Sequence, residues 1–289
     1  MSTFMSTLVR TRLRTRLRPW AAAFFFVVLS GCSTFVRPPA VAAPAAAQAN
    51  AAWARVLSEF VNDQGEVDFP ALAAKRGDLD AYVSFVAETP LERFAEAPPH
   101  RMTVGAGQDE RLAHMINAYN ALAMFNVLES GIPKTHAGLH KVTFFALRDL
   151  TVGGRTLSLY KFENDVIRPY TRSRADPRVH FALNCSAVSC PVLPRLPFTA
   201  VDLDRQLEAE TRAFFAKPEN FRIDAASRTV WLSEILKFYA EDFVPVPAKS
   251  LVAYAQLYGP SGAAAADLSG YTVRFTPYDW TIANSRRVR

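Results

Sequence analysis

The run DPRVHFALNCSAVSCPVL, Asp176 to Leu193, gathers the residue types best suited to chemistry. Cys185 and Cys190 stand five apart, His180 precedes the first by five, and Pro191 follows the second. A cysteine attacks as its thiolate, which needs a nearby histidinium, helix N-terminus or basic side chain. His180 would supply the base, Asn117 or Glu163 would orient it, and Asn184 would help hold an oxyanion. A Cys, His and Asn set is the pattern of thiol hydrolases. Two cysteines this close in an exported chain equally read as a disulfide, which leaves no nucleophile. An inert packed pair is the third reading. His180, Cys185 and Cys190, with His114 or an acid, also offer zinc-ligand types. Their spacing matches no common zinc motif, and no metal or cofactor is expected.

Two further stretches bear on a site. In HMINAYNALAMF, His114, Asn117 and Asn120 fall three apart along one helix face. Buried asparagines need partners, so these line a polar pocket or pin a neighbouring loop to the core. In KFENDVIR, Glu163 and Arg168 are five apart, which is not an ideal helix pair. Glu163 either meets His180 or Arg178 across the fold or is a surface acid on an amphipathic helix. A carboxylate beside an imidazole fixes its tautomer. Asn120, Asn184 and Arg168 complete the expected pocket. Phe238, Tyr239, Phe243, Tyr278 and Trp280 read as core, with a sugar-binding shelf as the alternative.

The elements that must position these groups follow from periodicity. NAAWARVLSEFVN has helical spacing at Trp53, Val56, Leu57 and Phe60. DQGEVDF reads as a turn and short strand, and Pro70 opens a helix whose buried side is Leu72, Leu79, Val83 and Phe85. APPHRMTVGAG is a loop. The strongest helix is DERLAHMINAYNALAMFNVLESG, capped by Asp109 and stopped by Gly131. A hairpin turns at Gly153-Gly154, SLYKFENDVIRPY is a helix ended by Pro169, and RVHFAL is a buried strand that puts His180 and Asn184 on one face. An amphipathic helix, a second hairpin, the Ser233-capped EILKFYAEDF, the helix AKSLVAYAQLY and the strand YTVRFTPYDW follow. The pattern predicts one α+β domain of helices on short, mostly antiparallel strands.

The first 31 residues read as a signal peptide. Five arginines between Arg10 and Arg18 and no acid precede the apolar run Trp20 to Leu29, too short for an ordinary span. LSGC, Leu29 to Cys32, resembles a bacterial lipobox and implies cleavage before Cys32 and acylation of that cysteine, a several-chain membrane anchor. Ser33 in the next position implies the outer membrane, facing the periplasm. Residues 32–52, rich in Pro and Ala, read as a tether, and 53–289 as the globular domain. The whole chain carries 33 Lys+Arg against 27 Asp+Glu, net +6. Removing the five leader arginines leaves +1, so the basicity belongs to targeting, and no nucleic-acid-binding signature remains.

INAYNAL, SLYKFENDVIRP, DPRVHFALNCSAVSCP, LSEILKFYAEDF and YDW stand in this order between Ile116 and Trp280. Together they resemble domain-of-unknown-function family 547. One departure is Met115, where the family's motif usually has tryptophan. The resemblance names a domain and implies no biochemical activity. The expectation is therefore a lipid-anchored envelope protein that binds a protein, peptide or glycan partner in a polar pocket. The alternative is a thiol-dependent hydrolase or transferase acting on peptide or amide bonds through Cys185 and His180.

Overall fold

A computed structural model describes residues 33–94, 106–173 and 175–286. The leader, Cys32 and most of the APPHRMTVGAG loop lie outside the described residues. The described residues from Ser33 onward belong to one compact unit. Its elements are β1 (Thr34–Phe35), α1 (Ala46–Phe60), α2 (Phe69–Ala74), α3 (Gly77–Glu88), α4 (Ala106–Glu129), α5 (Leu139–Val142), β2 (Arg148–Val152) and β3 (Arg155–Ser158). There follow α6 (Leu159–Lys161), α7 (Arg168–Arg172), α8 (Leu203–Phe215), β4 (Phe221–Asp224), β5 (Thr229–Ser233), α9 (Glu234–Phe238), α10 (Ala240–Phe243), α11 (Leu251–Tyr258) and β6 (Thr272–Thr276).

The fold is α+β, as the pattern predicts. Both sheets are mixed: β2 pairs antiparallel with β3 and parallel with β1, while β5 pairs antiparallel with β4 and parallel with β6. The strands are thus antiparallel only within the two hairpins. The first hairpin turns where expected, because Gly153 and Gly154 both adopt positive φ, which a two-residue turn of this kind requires.

Helix α4 is apolar almost all round. Leu112, Met115, Ile116, Tyr119, Leu122, Phe125 and Val127 are all buried, which makes it the central element of the larger core. Helices α1 and α3 pack beside it through Trp53, Val56 and Leu57 and through Leu79, Tyr82 and Val86. A smaller core gathers Phe181, Phe214, Phe215, Phe243 and Tyr254 around β5.

Four local expectations are corrected. Residues 34–52 are not a free tether: β1 pairs with β2, Val36 is buried, and α1 begins at Ala46 with Ala49 and Ala52 inside. Alanine is the best helix former and loses almost no side-chain entropy, so an Ala-rich stretch with an apolar face docks. Asp109 lies within the first turn of α4 and not at its cap. Pro169 does not end its helix. The chain widens into a π-helix over Phe162–Ile167 and continues as α7, with Pro169 in the first turn of α7, where its fixed φ suits the helix. Lastly, RVHFAL is not a strand. Pro177–Phe181 is a 3-10 helix, and Asp176 caps it by accepting from the Arg178 N–H. Proline at its start pre-sets φ for that turn.

Candidate functional site

The disulfide anchors the site. Cys185 and Cys190 are bridged, one of the arrangements their spacing allows. The loop between them is held independently of the sulfurs. Asn184 accepts from the Ser186 N–H at 2.7 Å and donates to the Pro191 carbonyl at 2.7 Å. This local turn lets Ser186 sit at φ +64°, a conformation non-glycine residues seldom take. The C-terminal segment runs alongside, with Val188 N–H on the Thr281 carbonyl and Ala283 N–H on the Ser186 carbonyl.

The asparagines of α4 pin loops to the core. Asn120 donates to the Ala182 carbonyl at 3.0 Å and accepts from the Asn184 N–H at 2.7 Å. Asn117 accepts from the Trp53 indole N–H and the Phe198 N–H, and donates to the Phe198 carbonyl at 2.8 Å. Asn117 therefore stands at the joint between α1 and the segment before α8, not beside Cys185 or His180.

Next to the disulfide opens a cleft of about 300 Å3. Glu163, on the π-helix, lines it and is only 7% exposed. The widened turn carries Glu163 inward on the same side as buried Phe162 and Ile167. Its Oε2 accepts the Tyr119 hydroxyl at 3.0 Å. Tyr119, Tyr239 and Tyr278 are all pushed up, first by burial and then by the charge of Glu163, so their hydroxyls stay protonated as donors.

One end of the cleft is ionic. Arg168 donates to Asp242 at 2.7 Å and to Glu241 at 2.9 Å, and Arg172 bonds both acids as well. His180 Nε2 lies 2.8 Å from Asp242 Oδ2, with its ring stacked 4.1 Å from Tyr239. Burial works against the charge on Asp242, but hydrogen bonds from His180, Arg168 and Arg172 hold its carboxyl well below the ordinary range. That carboxylate can only accept, so His180 presents an Nε2–H to it. Glu163 and His180 thus line the same cleft with different partners, and Arg178 is engaged elsewhere by Asp176 and Asp204.

Another part of the lining is aromatic. Tyr278 and Trp280 lie 4.3 Å apart, Phe238 stacks 6.3 Å from Trp280, and Lys141 Nζ sits 4.0 Å over the Trp280 ring. Phe238 and Tyr160 expose 42% and 56% of their surface at the rim. The Tyr278 hydroxyl reaches the disulfide, 3.1 Å from Cys190 Sγ and 3.6 Å from Cys185 Sγ.

Sequence reasoning missed His136. It is fully buried, and its Nε2 lies 3.1 Å from the Cys185 carbonyl. A carbonyl accepts, so Nε2 carries the hydrogen and Nδ1 the lone pair. Burial lowers its pKa to about 4. No spacing in the sequence links the two residues, since the contact spans 49 positions.

Residues 104–215 match the family described as "Protein of unknown function, DUF547". The matched stretch contains Tyr119, Glu163, Arg168, His180 and both cysteines of the bridge. The motifs around Phe238 and Tyr278 that also suggest the family lie beyond it. No curated protein and no solved structure matches the chain.

Proposed function

We propose that this chain is a lipid-anchored protein of the bacterial cell envelope. Cys32 would hold it at the outer membrane, facing the periplasm, and its domain would bind a small peptide or glycan in the aromatic cleft. The observation that carries the binding reading is the placement of Glu163. A buried carboxylate opens into a cavity walled by Phe238, Tyr278 and Trp280. Such a site takes ligands with an apolar or ring-like face and a hydrogen-bond donor for the carboxylate. The anchoring and location rest on the order of the arginine-rich segment, apolar run and LSGC at residues 10–32. The thiol-hydrolase alternative needs a free Cys185. In the folded chain that sulfur is bridged and Asn117 is committed to Trp53 and Phe198, so the binding module ranks first.

The test is titration with a soluble peptidoglycan fragment, and separately with its sugar and its peptide parts, followed at the Trp280 indole by NMR. A Trp280→Phe variant assigns the signal. Saturable shifts are expected with at least one probe, weakened roughly tenfold by Glu163→Gln, as loss of a charged hydrogen bond implies. If no probe shifts the signal, or Glu163→Gln binds equally well, the binding reading is wrong.

A further inference from the structure

We propose that the Cys185–Cys190 bridge is a reactive disulfide that exchanges with thiols entering the cleft, with attack at Cys185 Sγ and departure at Cys190 Sγ. This proposal shares the cleft with the binding reading but not its ligand, since any thiol small enough to enter suffices.

Three observations point the same way. First, both cysteines line an open cleft, Cys190 partly exposed and Cys185 7% exposed. Second, the donors favour one sulfur: two reach Cys190 Sγ, while Cys185 Sγ has only the longer 3.6 Å approach of the Tyr278 hydroxyl. The Tyr278 hydroxyl and the Cys185 backbone N–H lie 3.1 Å and 3.0 Å from Cys190 Sγ. A disulfide breaks faster when the departing thiolate is stabilised, and Cys190 is the sulfur prepared to carry that charge. Burial and the charge of Glu163 raise the Tyr278 pKa, which keeps its hydroxyl a donor. Third, the loop does not depend on the bridge for its shape, because Asn120, Asn184, His136 and the C-terminal segment hold it through hydrogen bonds.

The chemistry balances as follows. A substrate thiolate bonds to Cys185 Sγ as the Cys185–Cys190 bond breaks, and the electron pair leaves on Cys190 Sγ. The second thiolate of a dithiol substrate then attacks the substrate sulfur in the mixed disulfide and expels Cys185 as thiolate, which takes a proton from water. Two electrons pass from the dithiol to the protein. The reverse steps with a second disulfide restore the bridge and release two thiols, so the net reaction is thiol–disulfide exchange between the two partners.

The experiment treats the folded, oxidised protein with excess reduced glutathione, quenches with an alkylating agent and reads intact mass over time. Opening of the bridge without denaturant is expected. A Cys190→Ser variant, treated with oxidised glutathione, should hold a glutathione adduct on Cys185. Tyr278→Phe should open roughly tenfold more slowly, the effect of removing one hydrogen bond to a developing thiolate. The sign separates chemistry from damage: loosening the fold speeds reduction, as Asn117→Ala should show, whereas loss of the leaving-group donor slows it. A bridge reduced only in denaturant overturns the proposal. So does a Tyr278→Phe protein that opens as fast as the parent or faster. The peptidoglycan-fragment titration uses the oxidised protein alone, so either idea can fail without the other.

Discussion

Replacing Asn117 by alanine tests whether α4 is a structural spine. The Asn117 amide satisfies three buried groups: the Trp53 indole N–H at 3.2 Å, the Phe198 N–H at 3.0 Å and the Phe198 carbonyl at 2.8 Å. Trp53 and Phe198 are 1% and 4% exposed, so water does not replace the lost amide. An orphaned buried donor or acceptor costs about 1–3 kcal/mol. Three of them, partly relieved by local relaxation, give a loss of about 3–6 kcal/mol. That is a large share of the roughly 5–15 kcal/mol that holds a domain folded. Urea unfolding of parent and variant measures it. A double-mutant cycle with Trp53→Phe should show coupling of about 1 kcal/mol, since removing the indole N–H abolishes one of the orphans. A loss below about 1 kcal/mol would refute the reasoning. So would a variant with full stability and an altered cleft, because it would put Asn117 in the site instead of the joint.

Two other outcomes follow from the same interactions. His136 has a folded-state pKa of about 4 against about 6.5 in an unfolded chain. Its stabilising effect is therefore complete above about pH 6.5 and falls away as pH drops toward 4, by about 3 kcal/mol. His114, also lowered to about 4 by burial, adds to this, and His136→Gln should flatten the stability–pH curve between pH 7 and 4 without removing the donor to the Cys185 carbonyl. Replacing both Cys185 and Cys190 by serine should cost only about 2 kcal/mol, the chain entropy of so short a loop, and leave a cooperative unfolding transition; a protein that fails to fold would show that the bridge, not the hydrogen bonds, shapes the loop.

How far the site could be read from the sequence depended on the range of each interaction. The bridge was among the readings of a five-residue spacing because a short loop limits where two cysteines can go. The α4 helix and both hairpins were legible because periodicity and Gly153-Gly154 act locally. The loop-pinning role of Asn117 and Asn120 was one of two open readings, since two central asparagines in an apolar helix demand partners but do not name them. Other features were set by distant contacts. Tyr278 reaches Cys190 across 88 positions and Asp242 reaches His180 across 62. No spacing rule covers these. RVHFAL was misread because a short apolar run fits a strand or a buried helical turn equally, and Pro177 with Asp176 decided for the turn. Residues 34–52 were misread because Pro and Ala suggest a linker until a groove is known to receive the alanines.

The cleft combines a rigid frame with one bond that can be broken. Most buried polar groups around it are held by rigid elements. Asn120 on α4 holds the loop from beneath, His136 holds the Cys185 carbonyl, and the segment after β6 adds backbone bonds at Ser186 and Val188. None of these bonds involves a sulfur. Reducing the bridge therefore removes about 2 kcal/mol of loop constraint but leaves the loop's backbone partners in place. A disulfide that carried the fold would lose its site on reduction and could not be restored efficiently. In the bridged form the Cys185 N–H and the Tyr278 hydroxyl both lie beside Cys190 Sγ, and exchange requires that the reduced form keep them there. Such an arrangement favours repeated exchange over a single structural crosslink.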